Sequence, residues 1–167
     1  MRSRLEEFLF NPVSDFILVA IQERPYLMDE DFNPPCGDYV AVKIETINPI
    51  AWGNSAYDTD SNGVYHNYTT YETTMRILAI GKNAITKAQV ISCSLRDKNL
   101  LRNTLRPKGV AYFNSTPVRD TSISWLDKRE KRYEFLCQFR FIQGGPEKGE
   151  APFTIETFEG ATGSYSI

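Results

Sequence analysis

The sequence has few of the residues from which catalytic and metal sites are usually built. Its 167 residues include one histidine, His66, and three cysteines. The cysteines, Cys36, Cys93 and Cys137, are odd in number and lack the spacing of metal ligands. Because Cys93 and Cys137 fall on the apolar faces of predicted elements, we interpret the thiols as buried and reduced. We therefore expect no catalytic residue, no cofactor and no bound metal, and an enzyme of an unrecognised type stays an open alternative.

Long apolar runs and phosphate-binding motifs are also missing. The longest apolar run, Phe16 to Ile21, is far shorter than the roughly 20 residues that a membrane-spanning helix needs. The glycine-rich loops that hold phosphates in nucleotide-binding proteins do not occur. Glu6 and Glu7 follow closely on the first basic residues, so we expect no secretory signal. These absences predict a protein of the reducing cytoplasm without membrane contact.

The charge balance argues against a protein that grips nucleic acid. Nineteen basic and 21 acidic residues give a net charge of −2, whereas nucleic-acid binding by phosphate neutralisation needs a clustered basic face. The basic run at 128–132 alternates with Asp127 and Glu130, which favours ion pairing or solvation. A mildly acidic chain can still surround nucleic acid without holding it.

The clearest structural signal is the alternating stretch Glu130 to Ile142. Every second residue from Tyr133 to Phe141 is aromatic or a cysteine, and most of the residues between them are polar or charged. A period of two places one set on a buried face and the other on a wetter face. Aromatic enrichment favours a strand over a helix. We predict an antiparallel strand with one packed face.

The remaining chain divides into short elements at proline and glycine boundaries. Helices are predicted at 3–10, from Val13 to about residue 23 after a boundary at Asn11-Pro12, at 83–95 with Asn83 as N-cap, and at 98–106. Strands are predicted at 39–47, 67–80, 109–117 and 153–158, with a long polar loop at 51–66. This order predicts an α+β fold, in which helices pack on one face of an antiparallel or mixed sheet. We expect one domain over residues 1–145, followed by a C-terminal strand and tail arm over residues 146–167.

The two longest predicted strands are long compared with the body that one chain can form. Strands at 67–80 and 130–142 would each span roughly 43–46 Å, whereas a compact chain of this length has a diameter of about 40 Å. We therefore predict a long projecting hairpin and an aromatic partner surface. The candidate interface residues lie in the polar loop, in the connection at 118–129 and in the tail: Trp52, Tyr57, Tyr65, Trp125, Phe153, Ile155 and Phe158.

A fragment of a calcium-binding motif occurs inside the polar loop. Asp58, Asp60, Asn62 and Gly63 match the first half of the loop, but its twelfth position is Thr69 rather than a bidentate glutamate. The flanking segments are also strand-like. A turn on Asn62-Gly63 is therefore the preferred interpretation, with weak calcium binding as an open alternative.

The whole layout resembles the neck and tail-terminator proteins of tailed bacteriophages. The resemblance covers roughly residues 10–160. It rests on an N-terminal helix, a proline-rich loop, the strand from Asp38 to Ile44, the helix from Asn83 to Leu95, and the string 116–120 before the alternating strand.

The resemblance implies a structural virion protein and not an enzyme. Members of this family form rings, typically of six copies, that terminate the tail tube at the neck and join it to the head connector. The partners implied are further copies of the chain, the tail tube protein and the connector, while DNA passes through the ring without specific binding. Location in the virion neck and assembly in the host cytoplasm follow. The alternative is a non-enzymatic adaptor or binding module that uses the sheet as a docking face.

Overall fold

The computed structural model describes residues 4–29, 31–50, 56–59, 65–125 and 128–144. The helices are α1 (Arg4–Ile21), α2 (Ala84–Ser94) and α3 (Lys98–Thr104). The strands are β1 (Tyr26–Leu27), β2 (Tyr39–Pro49), β3 (Ala56–Thr59), β4 (Tyr65–Ile80), β5 (Val110–Ser115), β6 (Arg119–Asp120), β7 (Ile123–Trp125), β8 (Lys128–Glu130) and β9 (Arg132–Gly144).

The strands form one open, mixed sheet and one small hairpin. The main sheet has the order β1-β2-β4-β9-β5, with β3 paired to β4 and β6 paired to β9. Strand β1 is parallel to β2, and the other pairs are antiparallel. Strands β7 and β8 form a separate two-stranded sheet. The predicted α+β fold is confirmed.

The main core lies between the helices and one face of the sheet. Alternate residues of the three central strands point toward the helices, as the period of two requires. Phe135, Cys137, Phe139 and Phe141 of β9 are at most 1% exposed. Further core side chains come from all three helices or their ends and from the neighbouring strands, among them Leu9, Val13, Phe16, Ile17, Ala88, Ile91, Leu95, Leu105, Val40, Val42, Met75 and Ile77.

A second, smaller cluster covers the opposite face at one end of the sheet. Tyr39 and Ala41 of β2 and Leu78 and Ile80 of β4 form this cluster, against which Met28 and Phe32 pack. The Phe32 ring lies 6.1 Å from the Tyr39 ring. This is why residues 77–80 are a continuous apolar run, since both faces of the strand are covered here.

The predicted helix boundary at Asn11-Pro12 is wrong. Helix α1 continues through Pro12 without a break, although proline removes one intrahelical hydrogen bond. Leu9 and Val13, on either side of Pro12, are both fully buried, and Pro12 is itself buried. Burial of one continuous apolar stripe outweighs the lost bond.

The predicted position of Cys93 on the buried face of α2 is also wrong. Cys93 is exposed, and so is Ile85, at 41%. The inward face is formed by Ala84, Ala88 and Ile91, with Leu95 next along the stripe. Cys36 is exposed as well, so among the three thiols the prediction of burial is correct only for Cys137.

Candidate assembly surfaces

Strands β4 and β9 form a ladder that is much longer than the helices packed on it. Residues 68–80 of β4 pair in unbroken register with residues 144–132 of β9. The 16 residues of β4 extend over about 50 Å at 3.3 Å per residue. Helix α1 has 18 residues and is roughly 27 Å long. The longest helix can therefore accompany only about half of the strand.

One hairpin lies at the Tyr65 end of this ladder. Strand β3 continues the sheet on the side of β4 that β2 occupies further in, and its pairing runs from Ala56↔Tyr68 to Thr59↔Tyr65. Five residues, 60–64, join the two strands. The prediction that 51–66 is entirely loop is therefore wrong. Strand β3 has only four residues, too few for a period of two to be recognised in the sequence. The pairing of β3 with β4 places the backbone of Tyr57 and Tyr65 on this hairpin.

The second hairpin lies at the opposite end of the same ladder. Ile80 pairs with Arg132, and β8 ends two residues before Arg132, so the β7–β8 hairpin leaves the sheet at this end. Trp125 pairs with Lys128 at the tip of the hairpin. The backbone N–H of Gly81 donates to the carbonyl of Lys131 at 3.0 Å, which ties the hairpin base to the end of β4.

The three predicted interface residues within the described part of the chain therefore do not lie together. Tyr57 and Tyr65 lie on one hairpin and Trp125 lies on the other, about the length of β4 away. Trp52 and the tail residues Phe153, Ile155 and Phe158 lie outside the described residues.

The two hairpins differ in charge. Residues 50–71 contain two acidic and no basic side chains, whereas residues 119–132 contain five basic and three acidic ones. Asp120 accepts a hydrogen bond from the Ser122 backbone N–H at 2.9 Å, and hydrogen bonds from Ser122 hold the pKa of Asp120 below its ordinary value. Arg129 pairs with Asp120 at 3.7 Å. The ends of the ladder thus offer chemically different contact sites.

The face of the sheet away from the helices carries a row of ion pairs. Arg76 lies 2.8 Å from Glu45 and 3.4 Å from Glu134, so its guanidinium bridges β2, β4 and β9. The alternation in β9 predicts that Glu134 lies on the wetter face, which is confirmed. The ion pairs themselves do not follow from the sequence pattern, because they depend on the strand register.

A similar chain of contacts lies further along this face. Arg140 pairs with Glu72 at 3.2 Å, and its guanidinium carbon lies 4.4 Å from the centre of the Phe113 ring. Phe113 is 60% exposed. A cation over an aromatic ring is a favourable contact, so the side chain is held in place while most of its surface stays open to a partner.

The turn into α2 is organised by a residue distant in sequence. The carboxylate of Asp38 accepts hydrogen bonds from the backbone N–H groups of Lys82 at 2.7 Å and Asn83 at 3.2 Å. The bond from Lys82 is the main reason why the pKa of Asp38 is lowered. Asn83 lies at the N-cap position of α2, as predicted, but its side chain makes no capping hydrogen bond.

A cleft between the ends of α1 and α2 offers little chemistry. It has a volume of about 320 Å³ and is lined by Ala20, Ile21, Gln22, Asn83, Thr86, Lys87 and Val90. Its one titratable group, Lys87, pairs with Glu23 at 2.6 Å. An amine held in an ion pair is a poor base or nucleophile.

Among the described residues, no three acidic, histidine or cysteine side chains come together as a metal site, and no helix has both the length and the apolar character to cross a membrane. Asp58, the first residue of the calcium-like motif, lies in β3 opposite His66. Residues 60–63 lie outside the described residues.

The sheet is thus open, with a hairpin at each end of its long ladder and ion pairs along the face away from the helices. Over residues 2–167 the chain matches the family of phage neck terminator proteins, and it belongs to that family. A search among curated proteins found no match. The chain is therefore a structural protein of the phage neck and tail, located in that part of the virion and in contact with other neck or tail proteins.

Proposed function

We propose that this protein forms a closed ring of six copies at the head–tail neck. The ring ends the tail tube, joins it to the connector and leaves a channel through which DNA passes. Assembly takes place in the host cytoplasm, and the protein has no enzymatic activity. Membership of the neck terminator family supports the location. A closed ring requires two different patches on each copy that fit each other.

The observation that carries the proposal is the ladder with a hairpin at each end. A subunit whose contact elements lie about 50 Å apart can reach the tail tube on one side of the ring plane and the connector on the other. The hairpin with Tyr57 and Tyr65, together with Trp52, would contact one neighbour, and the hairpin with Trp125 would contact the other. Opposite charge tendencies at the two hairpins support two different partners rather than two copies of one.

The ion pairs on the sheet face and the net charge support passage of DNA without tight binding. Arg76 and Arg140 are held by Glu45, Glu134 and Glu72 across the strands. Arginines neutralised in this way attract phosphate weakly, and the net charge of the chain is −2.

Light scattering coupled to size exclusion, with negative-stain imaging, tests the proposal. The protein is measured alone and after mixing with tail tube protein. We expect rings with six times the mass of one chain, alone or on the ends of tubes. A protein that stays monomeric both alone and with tube protein would contradict the ring.

A binding module is the second candidate, and the exposed Phe113 favours it. An aromatic side chain held on an open sheet face is typical of a docking surface. A monomer that binds a neck protein, and loses this binding in the Phe113→Ala variant, would support the adaptor instead of the ring.

A further inference from the structure

The two outer edges of the main sheet are protected to different degrees. On the β2 edge, β1 pairs with Ala41 and Val42, and the backbone N–H of Met28 donates to the Val42 carbonyl at 2.8 Å. Beyond this contact the edge carries the exposed Lys43, a register shift between Ile44 and Thr46, and then Pro49. A covering strand, a lysine, a bulge and a proline are the features by which proteins prevent unwanted strand pairing.

The β5 edge has less protection. Strand β5 is the last in the sheet order, and its sequence, VAYFNS, contains neither charge nor proline. It has a bulge between Tyr112 and Asn114, but no described strand lies on its outer side. Ala111, Phe113 and Asn114 are all exposed. An uncharged edge with unpaired backbone groups is a site to which a further strand can add.

The C-terminal segment leaves the described structure beside this edge. Val110, the first residue of β5, pairs with Phe141 of β9, and β9 ends at Gly144. A strand added outside β5 would lie two strand spacings from β9, about 10 Å. Residues 145–152 can span up to roughly 27 Å, so the following residues can reach the β5 edge of the same chain or of an adjacent copy.

The sequence of the segment fits a strand. In residues 153–158, FTIETF, all but the glutamate are β-branched or aromatic, and Phe153 and Ile155 alternate with Thr154 and Glu156. It is the only part of residues 145–167 with this pattern, because the remainder is rich in glycine and serine.

The charges of the two segments are complementary. Residues 98–119, which contain β5, carry five basic and no acidic side chains. Lys108 pairs with Asp15, while Arg102, Arg106 and Arg119 have no ion pair among the described residues. Residues 145–167 carry four glutamates and one lysine. Opposite charge on two segments favours their association and disfavours pairing of β5 with a second β5.

We propose that residues 153–158 add as a strand to the outer edge of β5. The segment comes from the same chain or from an adjacent copy, and the backbone hydrogen bonds of the added strand cover the outer edge of β5. This inference concerns the tail and the sheet edge, and it holds whether or not the protein forms a ring.

Cysteine cross-linking tests whether residues 153–158 lie beside β5. In a background with Cys36→Ser and Cys93→Ser, Ala111→Cys is combined in turn with Thr154→Cys, Glu156→Cys and Thr157→Cys. We expect a disulfide from at least one pair, and the mass of the product shows whether one chain or two are joined. The matched control places the edge cysteine at Thr46, on β2. Cross-linking at Thr46 equal to that at Ala111, or none at Ala111, would overturn the proposal.

Hydrogen exchange provides a readout that needs no cysteine. Ile155→Pro removes one N–H and disrupts strand pairing, so amides of β5 should exchange at least about tenfold faster than in the native chain, while those of β2 should not change. Gly160→Pro, outside the alternating stretch, is the control and should leave β5 unchanged. Unchanged β5 exchange in Ile155→Pro would contradict the added strand. A monomeric protein that still shows both results would reject the ring and keep this inference.

Discussion

The inner and outer halves of β4 belong to one strand but have different surroundings. Residues 73–80 pack against helices on one face, and from Leu78 to Ile80 both faces are covered. In the outer half, residues 65–68 pair with β3, and residues 68–70 pair with the end of β9. The inner half has the apolar sequence MRILAI and the outer half the polar, tyrosine-rich sequence YHNYTT. We interpret the inner half as the part that folds the subunit and the outer half as the part that assembles it.

The largest expected effect is a difference in unfolding free energy between substitutions in the inner and the outer half of β4. Phe139, paired with Thr73 in the inner region, is fully buried, so Phe139→Ala should lower the free energy of unfolding by about 3–5 kcal/mol. Tyr65→Ala at the outer end should lower it by less than about 1 kcal/mol, because it lies beyond the pairing with β9. Chemical denaturation measures both. Equal losses would show that the outer end is part of the folding core.

The next effect concerns the turn that closes the inner half. Gly81 has φ +107°, and an added Cβ would lie 2.8 Å from the Cα of Asp38. Gly81→Ala should therefore cost at least about 2 kcal/mol, from both backbone strain and overlap. Gly37, with φ +96° and no atom within 4 Å of an added Cβ, is the matched control. Denaturation of Gly37→Ala should show the strain alone, and an equal cost for both variants would contradict the close packing of this turn.

A smaller effect is expected from Asp38, whose contribution to stability at the same turn should depend on pH. Its pKa is below the ordinary value of 3.8 because backbone N–H groups stabilise the carboxylate. A lowered pKa in the folded state adds stability that is fully present above the unfolded value and disappears as the pH falls through the folded value. Asp38→Asn should melt at a lower temperature than the native protein at neutral pH, and the difference should shrink below about pH 4. A difference independent of pH would refute this role.

The smallest effect is expected on the uncovered face of the inner half. Arg76 bridges Glu45 and Glu134, but its side chain is 39% exposed. Arg76→Gln should lower the free energy of unfolding by about 1 kcal/mol, less so at high salt. Urea denaturation at two salt concentrations measures this change. A loss comparable to that of Phe139→Ala would mean that this face also contributes to the core.

The sequence predicted features that depend on local pattern and missed those that depend on distant residues. The alternation in Tyr133–Phe141 correctly located β9 and its packed face. Asn83 holds the N-cap position of α2 as local pattern predicts, but the side-chain contact to this turn comes from Asp38, 45 residues earlier. Pro12 marks a boundary by local rules, yet tertiary burial keeps the helix continuous.

The candidate surfaces were predicted only in part, for the same reason. The lengths of the two long strands indicated that the ladder extends beyond the body. The positions of Tyr65 and Trp125 at opposite ends follow from register, which pairs Tyr68 with Gly144 and Ile80 with Arg132. The pair between Arg140 and Glu72 also follows from register and not from either strand alone.

Hydrogen exchange of the free protein and of necks isolated from virions tests the division of β4 most directly. We predict that amides of residues 73–80 are similarly protected in both samples, because the subunit core protects them. Amides of residues 56–59 and 65–70 should exchange at least about tenfold more slowly in the neck than in the free protein. Equal exchange of the outer residues in the two samples would contradict the account that this half of the strand serves assembly.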